Sequence, residues 1–244
     1  ADGSELPERF FEDVFVMADY IAGCFSFILN ENGQIIHARN FDSGKEVLGK
    51  NPVVVTYNIT GKQKYVQLGN PSLIWSYSAV NESGISFSEQ SNNNPKIFEK
   101  ENRNTLIDSE KVLWYAKNLS DVDSILSTFK SPNDFILNYS SSLENKAAIY
   151  DMIGGEIQAK TSVSNYMCGT GTVRSAELEK KLETIYSARY HNISREEKFN
   201  NLNQIENSQS NIDKAISLIS NTDFYNYSNK LEVFYESINN YQTT

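Results

Sequence analysis

Apolar residues recur along the chain with two different periods, and the switches between them outline its elements. Residues 7–22 (PERFFEDVFVMADYIA) place Phe10, Phe11, Val14, Phe15 and Ala18 at helical spacing. Pro7 suits a first helical turn, and Gly23 breaks the pattern. Two β-rich runs follow, CFSFILN and IIHARNF, joined through Asn32-Gly33. This is the strongest short-range hairpin signal, and it puts Cys24 at the start of a strand. Strand-like runs continue at 52–59, 64–68, 72–80 and 84–90, and the polar stretch 91–104 reads as a long loop. Helices are expected at about 108–118 and 121–130, the second with Ser120 as its cap and Asp123 three residues on. Strands return at 134–140, 147–153 and 156–163, with Gly154-Gly155 as a turn, and from about 173 to the C-terminus the pattern is helical. Strands first and again late, with helices between and after, predict an α+β layered domain. No internal repeat or linker interrupts it.

Composition narrows the classes. The 244 residues are enough for one substantial core, burying roughly 70–75% of the unfolded surface. A single domain is therefore the expectation for 24–244, with 1–23 as a helical leading segment. Charged residues make up 22% of the chain, but 14 Tyr and 13 Phe supply large buried areas and argue against disorder. A net charge of −9 argues against nucleic acid as a partner. No apolar run approaches the ~20 residues that span a bilayer. The chain opens on Ala1 rather than on a methionine, which reads as loss of a signal peptide or tag, or as a trimmed start; exported and cytoplasmic settings both stay open. The two cysteines, Cys24 and Cys168, allow one bridge or two free thiols. The Asn-x-Ser/Thr triplets at Asn58, Asn118 and Asn192 are what chance gives in so Asn- and Ser-rich a chain.

The chemistry concentrates in Gly23-Cys24 and Ala38-Arg39-Asn40-Phe41-Asp42. Cys24 follows a glycine, which permits a strained turn, and the returning strand brings a cation and an anion back towards it. A cation beside a thiol favours the reactive thiolate. An anion there would hold an ammonium group. If the Gly23–Cys24 peptide bond is cut, Cys24 gains an α-amine, with an unperturbed pKa near 8, able to act as base for its own side chain. His37 precedes Arg39 by two and shares its face of the strand, so a Cys–His pair is also open. The plain structural readings are a buried cysteine and a surface ion pair of little energetic weight. Cys168, in a Gly- and Thr-rich loop, reads as structural or as a free thiol. There is no zinc-spaced Cys/His cluster, no phosphate-binding glycine loop and no dinucleotide fingerprint, so neither metal nor cofactor is expected.

The segment from Cys24 to Asp42 resembles the opening of N-terminal-nucleophile (Ntn) hydrolases of the choloylglycine hydrolase and penicillin V acylase kind, with their autoprocessing acyltransferase relatives. Three later segments extend the resemblance: Asn81-Glu82-Ser83-Gly84-Ile85, the strand pair from Ala148 to Met167 with Ser164-Asn165, and Thr172-Val173-Arg174 before a helix. It covers roughly residues 23–185. The resemblance implies a four-layer αββα sandwich of two antiparallel sheets. It implies hydrolysis, or acyl transfer, of a linear non-peptide C–N amide on a small N-acyl substrate, after autoactivating cleavage of Gly23–Cys24. Cys24 would be the nucleophile, Arg39 and Asp42 the supports of thiol and α-amine, and Asn165 and Arg174 further catalytic residues. Asn81, Ser91 and Asn92 are candidates for oxyanion or substrate contacts, because the region after Gly84 reads Glu89-Gln90-Ser91-Asn92 where the family carries an oxyanion asparagine. Residue 171 is Gly where the family usually has Ser, and the chain is short for the bile-salt branch. Residues 1–23 would either block the site of an uncleaved precursor or stay docked after cleavage. The rival expectation is an inactive protein of the same fold serving as a binding or structural module. A homo-oligomer is compatible with either.

Overall fold

The structure, a computed structural model, describes residues 23–31, 33–42, 52–69, 76–91, 105–130, 134–153, 156–163 and 166–170, with 173, 175 and 178. The expected helix at 7–22, the expected loop 91–104 except Ser91, which ends a strand, and nearly all of the helical region after 173 lie outside the described residues.

Two antiparallel sheets carry the fold. The first has three strands: β1 (Gly23–Glu31), β2 (Gln34–Asp42) and β10 (Tyr166–Thr170), in the order β10-β1-β2. The second has seven, in sequence order: β3 (Val53–Tyr57), β4 (Tyr65–Gly69), β5 (Ser78–Asn81), β6 (Ile85–Ser91), β7 (Phe135–Ser141), β8 (Lys146–Ile153) and β9 (Glu156–Val163). Between β6 and β7 stand α1 (Thr105–Tyr115) and α2 (Leu119–Leu126). The expected hairpin at Asn32-Gly33 is there: Glu31 opposes Gln34, and Gly33 has φ 75°. That conformation favours glycine.

Strands β7 and β8 of the large sheet are buried on both faces, and their apolar residues divide between two clusters. Phe87, Leu137, Tyr139, Ala148, Tyr150 and Met152 pack against Val112, Leu113 and Ala116 of the α1 region and Leu119, Val122 and Leu126 of α2. Ile136, Ala147, Ile149 and Ile153 pack on the other side against Ile28 of β1. Helices, large sheet and small sheet therefore form three successive layers among the described residues. The fourth layer of the expected sandwich lies outside them.

Two local expectations are corrected. The second helix is capped by Asn118, not Ser120. Asn118 is extended, and its side chain accepts from Asp121 N at 2.9 Å, while Asp121 accepts from Lys117 N at 2.8 Å. Burial of Leu119 starts the helix two residues early and leaves Ser120 exposed inside it. Asp123 instead receives Tyr150 Oη and Lys160 Nζ. Cys168, read as a loop residue, lies in strand β10 opposite Phe27. Its stretch has no alternating pattern, and it becomes a strand because β1 offers a second hydrogen-bonding edge.

The Asn81–Ile85 element is a tight reversal. Gly84 has φ 75°, and a β-carbon there would collide with the Ser142 hydroxyl. Gly84→Ala should therefore lower stability by about 1–3 kcal/mol, read as a fall in the denaturant midpoint; an unchanged midpoint would show that neither the positive φ nor Ser142 opposes a β-carbon there.

Candidate active site

The β1–β2 register positions the chemistry. Gly23 pairs with Asp42, Cys24 with Phe41 and Ser26 with Arg39. Cys24 is buried, 2% exposed, and is a free thiol, so no bridge joins it to Cys168. Arg39 Nη2 donates to Cys24 Sγ at 2.8 Å and to Glu89 Oε1 at 2.8 Å, while Nη1 donates to Ser78 Oγ at 3.1 Å. Its guanidinium also lies over the Tyr77 ring, 5.5 Å from the centroid, a further electrostatic attraction for the cation. The Arg39 and Glu89 side chains are 6% and 1% exposed.

The electrostatics follow from burial and from this pairing. Burial alone would lower the Arg39 pKa, but the charges on Cys24 and Glu89 outweigh it and hold the guanidinium even more firmly protonated than usual. Burial pushes the Glu89 carboxyl above the usual carboxylate range, and the Arg39 charge and hydrogen bond oppose this only in part. Arg39 thus stands as a fixed cation between a sulfur and a carboxyl group. Glu89 was not among the residues singled out from sequence. It sits within the Glu-Gln-Ser-Asn run where an oxyanion asparagine was sought, and nothing local marks it as Arg39's partner.

The remaining candidates divide. Asp42 closes β2 directly opposite Gly23, one residue from Cys24 in the pairing. Asn81 donates to Leu113 O and Ala116 O and accepts from Ile85 N. It ties the turn before β6 to the end of α1, and none of these bonds points to Cys24. Ser91 ends β6 opposite Phe135. Asn92, Asn165 and Arg174 lie outside the described residues. His37 pairs with Ile28, four residues along from Cys24, and its ring nitrogens meet Ser86 Oγ at 2.8 Å and Ser88 Oγ at 2.7 Å. The Cys–His alternative therefore gives way to a Cys–Arg pair. Burial, and secondarily Arg39, push the His37 pKa down to about 3.

Among the described residues no group of three or more His, Cys, Asp or Glu is placed to hold a metal ion, and no helix is long and apolar enough to cross a membrane. A cavity of about 300 Å³ lies between α2 and β8–β9, but Asp123 and Lys160 within it are paired at 2.7 Å, and none of the candidate residues lines it.

No protein family and no curated protein matches the chain. Among solved structures it is similar to the Caenorhabditis elegans N-acylethanolamine-hydrolyzing acid amidase (NAAA) ortholog, with a TM-score of 0.58 and 13% identity over 88% of this chain and 98% of that one. A mutant conjugated bile acid hydrolase from Clostridium perfringens aligns with a TM-score of 0.40 and 12% identity, over 78% of this chain and 59% of that one. The chain thus shares the fold of that amidase.

The Glu89 carboxyl gives a test by pH. Its folded pKa is raised, so its contribution to stability is full below the unfolded value of about 4.3 and is lost as pH rises through the folded value. Stability of wild type relative to Glu89→Gln should fall as pH increases upward from about 4, measured by urea denaturation from pH 4 to 8; parallel stability profiles would remove the buried carboxyl from this role.

Proposed function

We propose that the protein is a cysteine-nucleophile amide hydrolase, or acyltransferase, acting on linear N-acyl amides after cleavage of Gly23–Cys24. The observation that carries this reading is the guanidinium of Arg39 on the Cys24 sulfur at 2.8 Å, at the end of a hairpin in a fold shared with an N-acylethanolamine-hydrolyzing amidase.

The Arg39 cation stabilises thiolate over thiol. Cleavage before Cys24 creates an α-amine, and Asp42, opposite Gly23 in the register, supplies the anion for its ammonium form. In the reaction the α-amine takes the thiol proton, and the sulfur attacks the substrate carbonyl. The C–N bond then breaks, and the same proton passes to the departing amine. The acyl group remains as a thioester. Water releases it as a carboxylic acid, or a second nucleophile accepts it. The developing oxyanion needs preorganised donors, each contributing on the order of 3 kcal/mol; Asn165 and a backbone N–H are the proposed ones. Arg174 is proposed as a further charge at the site, on the family resemblance.

The substrate's acyl part is assigned to the adjoining sheet face. Leu68 opposes Ser78, the residue that accepts from Arg39, and Val54 opposes Leu68. Directly opposed residues point to one face, so the row runs from the site to apolar side chains that are exposed: Leu68 at 56% and Val54 at 68%, with Val80 nearby at 42%. A hydrocarbon tail laid on this row removes apolar surface from water on both partners.

Turnover of a panel of N-acyl amides by wild type and Cys24→Ala tests the reaction. Cys24→Ala should lower kcat at least about a thousandfold, and full turnover in that variant would end the proposal. Intact mass of active protein should show residues 1–23 and 24–244 as separate species; one full-length mass in active protein would refute the processing step. For the shelf, Leu68→Asp should raise KM for long-chain substrates about tenfold while leaving N-acetyl substrates unchanged, and equal effects on both would place the tail elsewhere.

A further inference from the structure

We infer that His37 is a positioning residue: hydrogen-bonded through both ring nitrogens to Ser86 and Ser88, it clamps β2 along β6 so that Arg39 is presented to the Cys24 sulfur. The inference rests on the reading of Cys24 and Arg39 as the reactive pair.

Cys24 and Arg39 belong to the small sheet, whereas Ser78 and Glu89, which hold Arg39, belong to the large one. The direction of the guanidinium therefore depends on how the two sheets are registered. Apolar packing of Ile28 against Ile136 and Ile149 holds the sheets together but is non-directional. It resists poorly a slide of one residue, about 3.3 Å along a strand. Directional contacts must set the register. On β1 these include Gln90 Nε2 to Ser26 Oγ at 2.6 Å. On β2 His37 makes two at once, to residues two apart on β6 and so on the same face of it. A planar ring bridging both serines is fixed along the strand direction as well as across it. His37 and Arg39 are likewise two apart on β2, so the clamp acts next to the group it orients.

The surroundings support a fixed ring. A neutral imidazole donates from one nitrogen and accepts at the other, and two hydroxyls satisfy either tautomer. Ser86 is further hydrogen-bonded to Ser140 on β7, so the clamp spans three strands. Among the described residues, the charge that acts on the ring is Arg39 on β2, itself paired with Glu89 on β6. Burial, and secondarily Arg39, favour the neutral ring, which suits a fixed hydrogen-bonding role.

Three variants test this: His37→Leu, His37→Gln, and His37→Leu combined with Ser86→Ala and Ser88→Ala. The readouts are thiolate absorbance at 240 nm against pH, with Cys24→Ala as the blank, together with kcat, KM and the denaturation midpoint. His37→Leu should raise the thiol ionisation midpoint by about one pH unit and lower kcat about 10- to 100-fold, with KM within about twofold. His37→Gln keeps a donor and an acceptor and should recover part of both. The triple variant removes the orphaned hydroxyls, so it should regain stability while keeping the raised midpoint. If its midpoint returns to that of wild type along with its stability, His37 is structural only and the inference is overturned. The absorbance arm needs no substrate, so it decides the clamp even where Cys24→Ala retains turnover, an outcome that would end the nucleophile reading alone.

Discussion

One guanidinium ties the two sheets of this protein together at the place where the Cys24 sulfur lies. Arg39 leaves the small sheet and binds Ser78 and Glu89 on the large one, while the same Nη2 that meets Glu89 also meets Cys24. A buried cation must be paired and hydrogen-bonded to be tolerated, and a paired buried charge loses about 3–5 kcal/mol when one partner is removed. The same demand that makes Arg39 costly to disturb keeps a positive charge against the thiol. Stability of the sheet interface and polarisation of Cys24 are two consequences of one set of contacts.

The layer between the sheets is unusually polar for the centre of a sandwich. Ser26, Ser88, Gln90, Asn138 and Ser140 are all buried. They bond to one another and to His37: Asn138 Nδ2 reaches Ser88 O at 3.3 Å and also Gln90 Oε1, and Gln90 reaches Ser26. Such a layer contributes less by burial than an apolar one, but it constrains geometry, because each buried polar group is costly unless its partner is met in one particular alignment. Apolar contacts through Ile28 and Ile149 provide adhesion, and the polar rows provide register.

Much of this was legible in the residues, because it rests on local rules. The Asn-Gly turn sets the hairpin and thereby brings Arg39 and Asp42 back beside Cys24. Strand positions from β3 to β9 follow from alternation and turn residues, and Gly84 owes its place to a positive φ and to the nearness of Ser142. What local rules could not reach were pairings across long stretches of chain. Glu89 lies 50 residues from Arg39, and β10 is added to β1 by an open edge rather than by its own pattern. Asn118 displaces Ser120 as a cap because Leu119 is drawn into the core, and Asn81 is held by α1 carbonyls through contacts that its own turn does not foreshadow.

The amino-acid order by itself determined the nucleophile candidate, its strand and the cation that returns to it, because a two-residue turn leaves only one register for the hairpin. The tertiary structure alone decided which carboxyl shares that cation, which ring locks the strand beside it, and which apolar row is left uncovered next to it. Those choices depend on how one sheet lies upon another. That is set by the summed fit of many buried groups, and no short stretch of sequence encodes it.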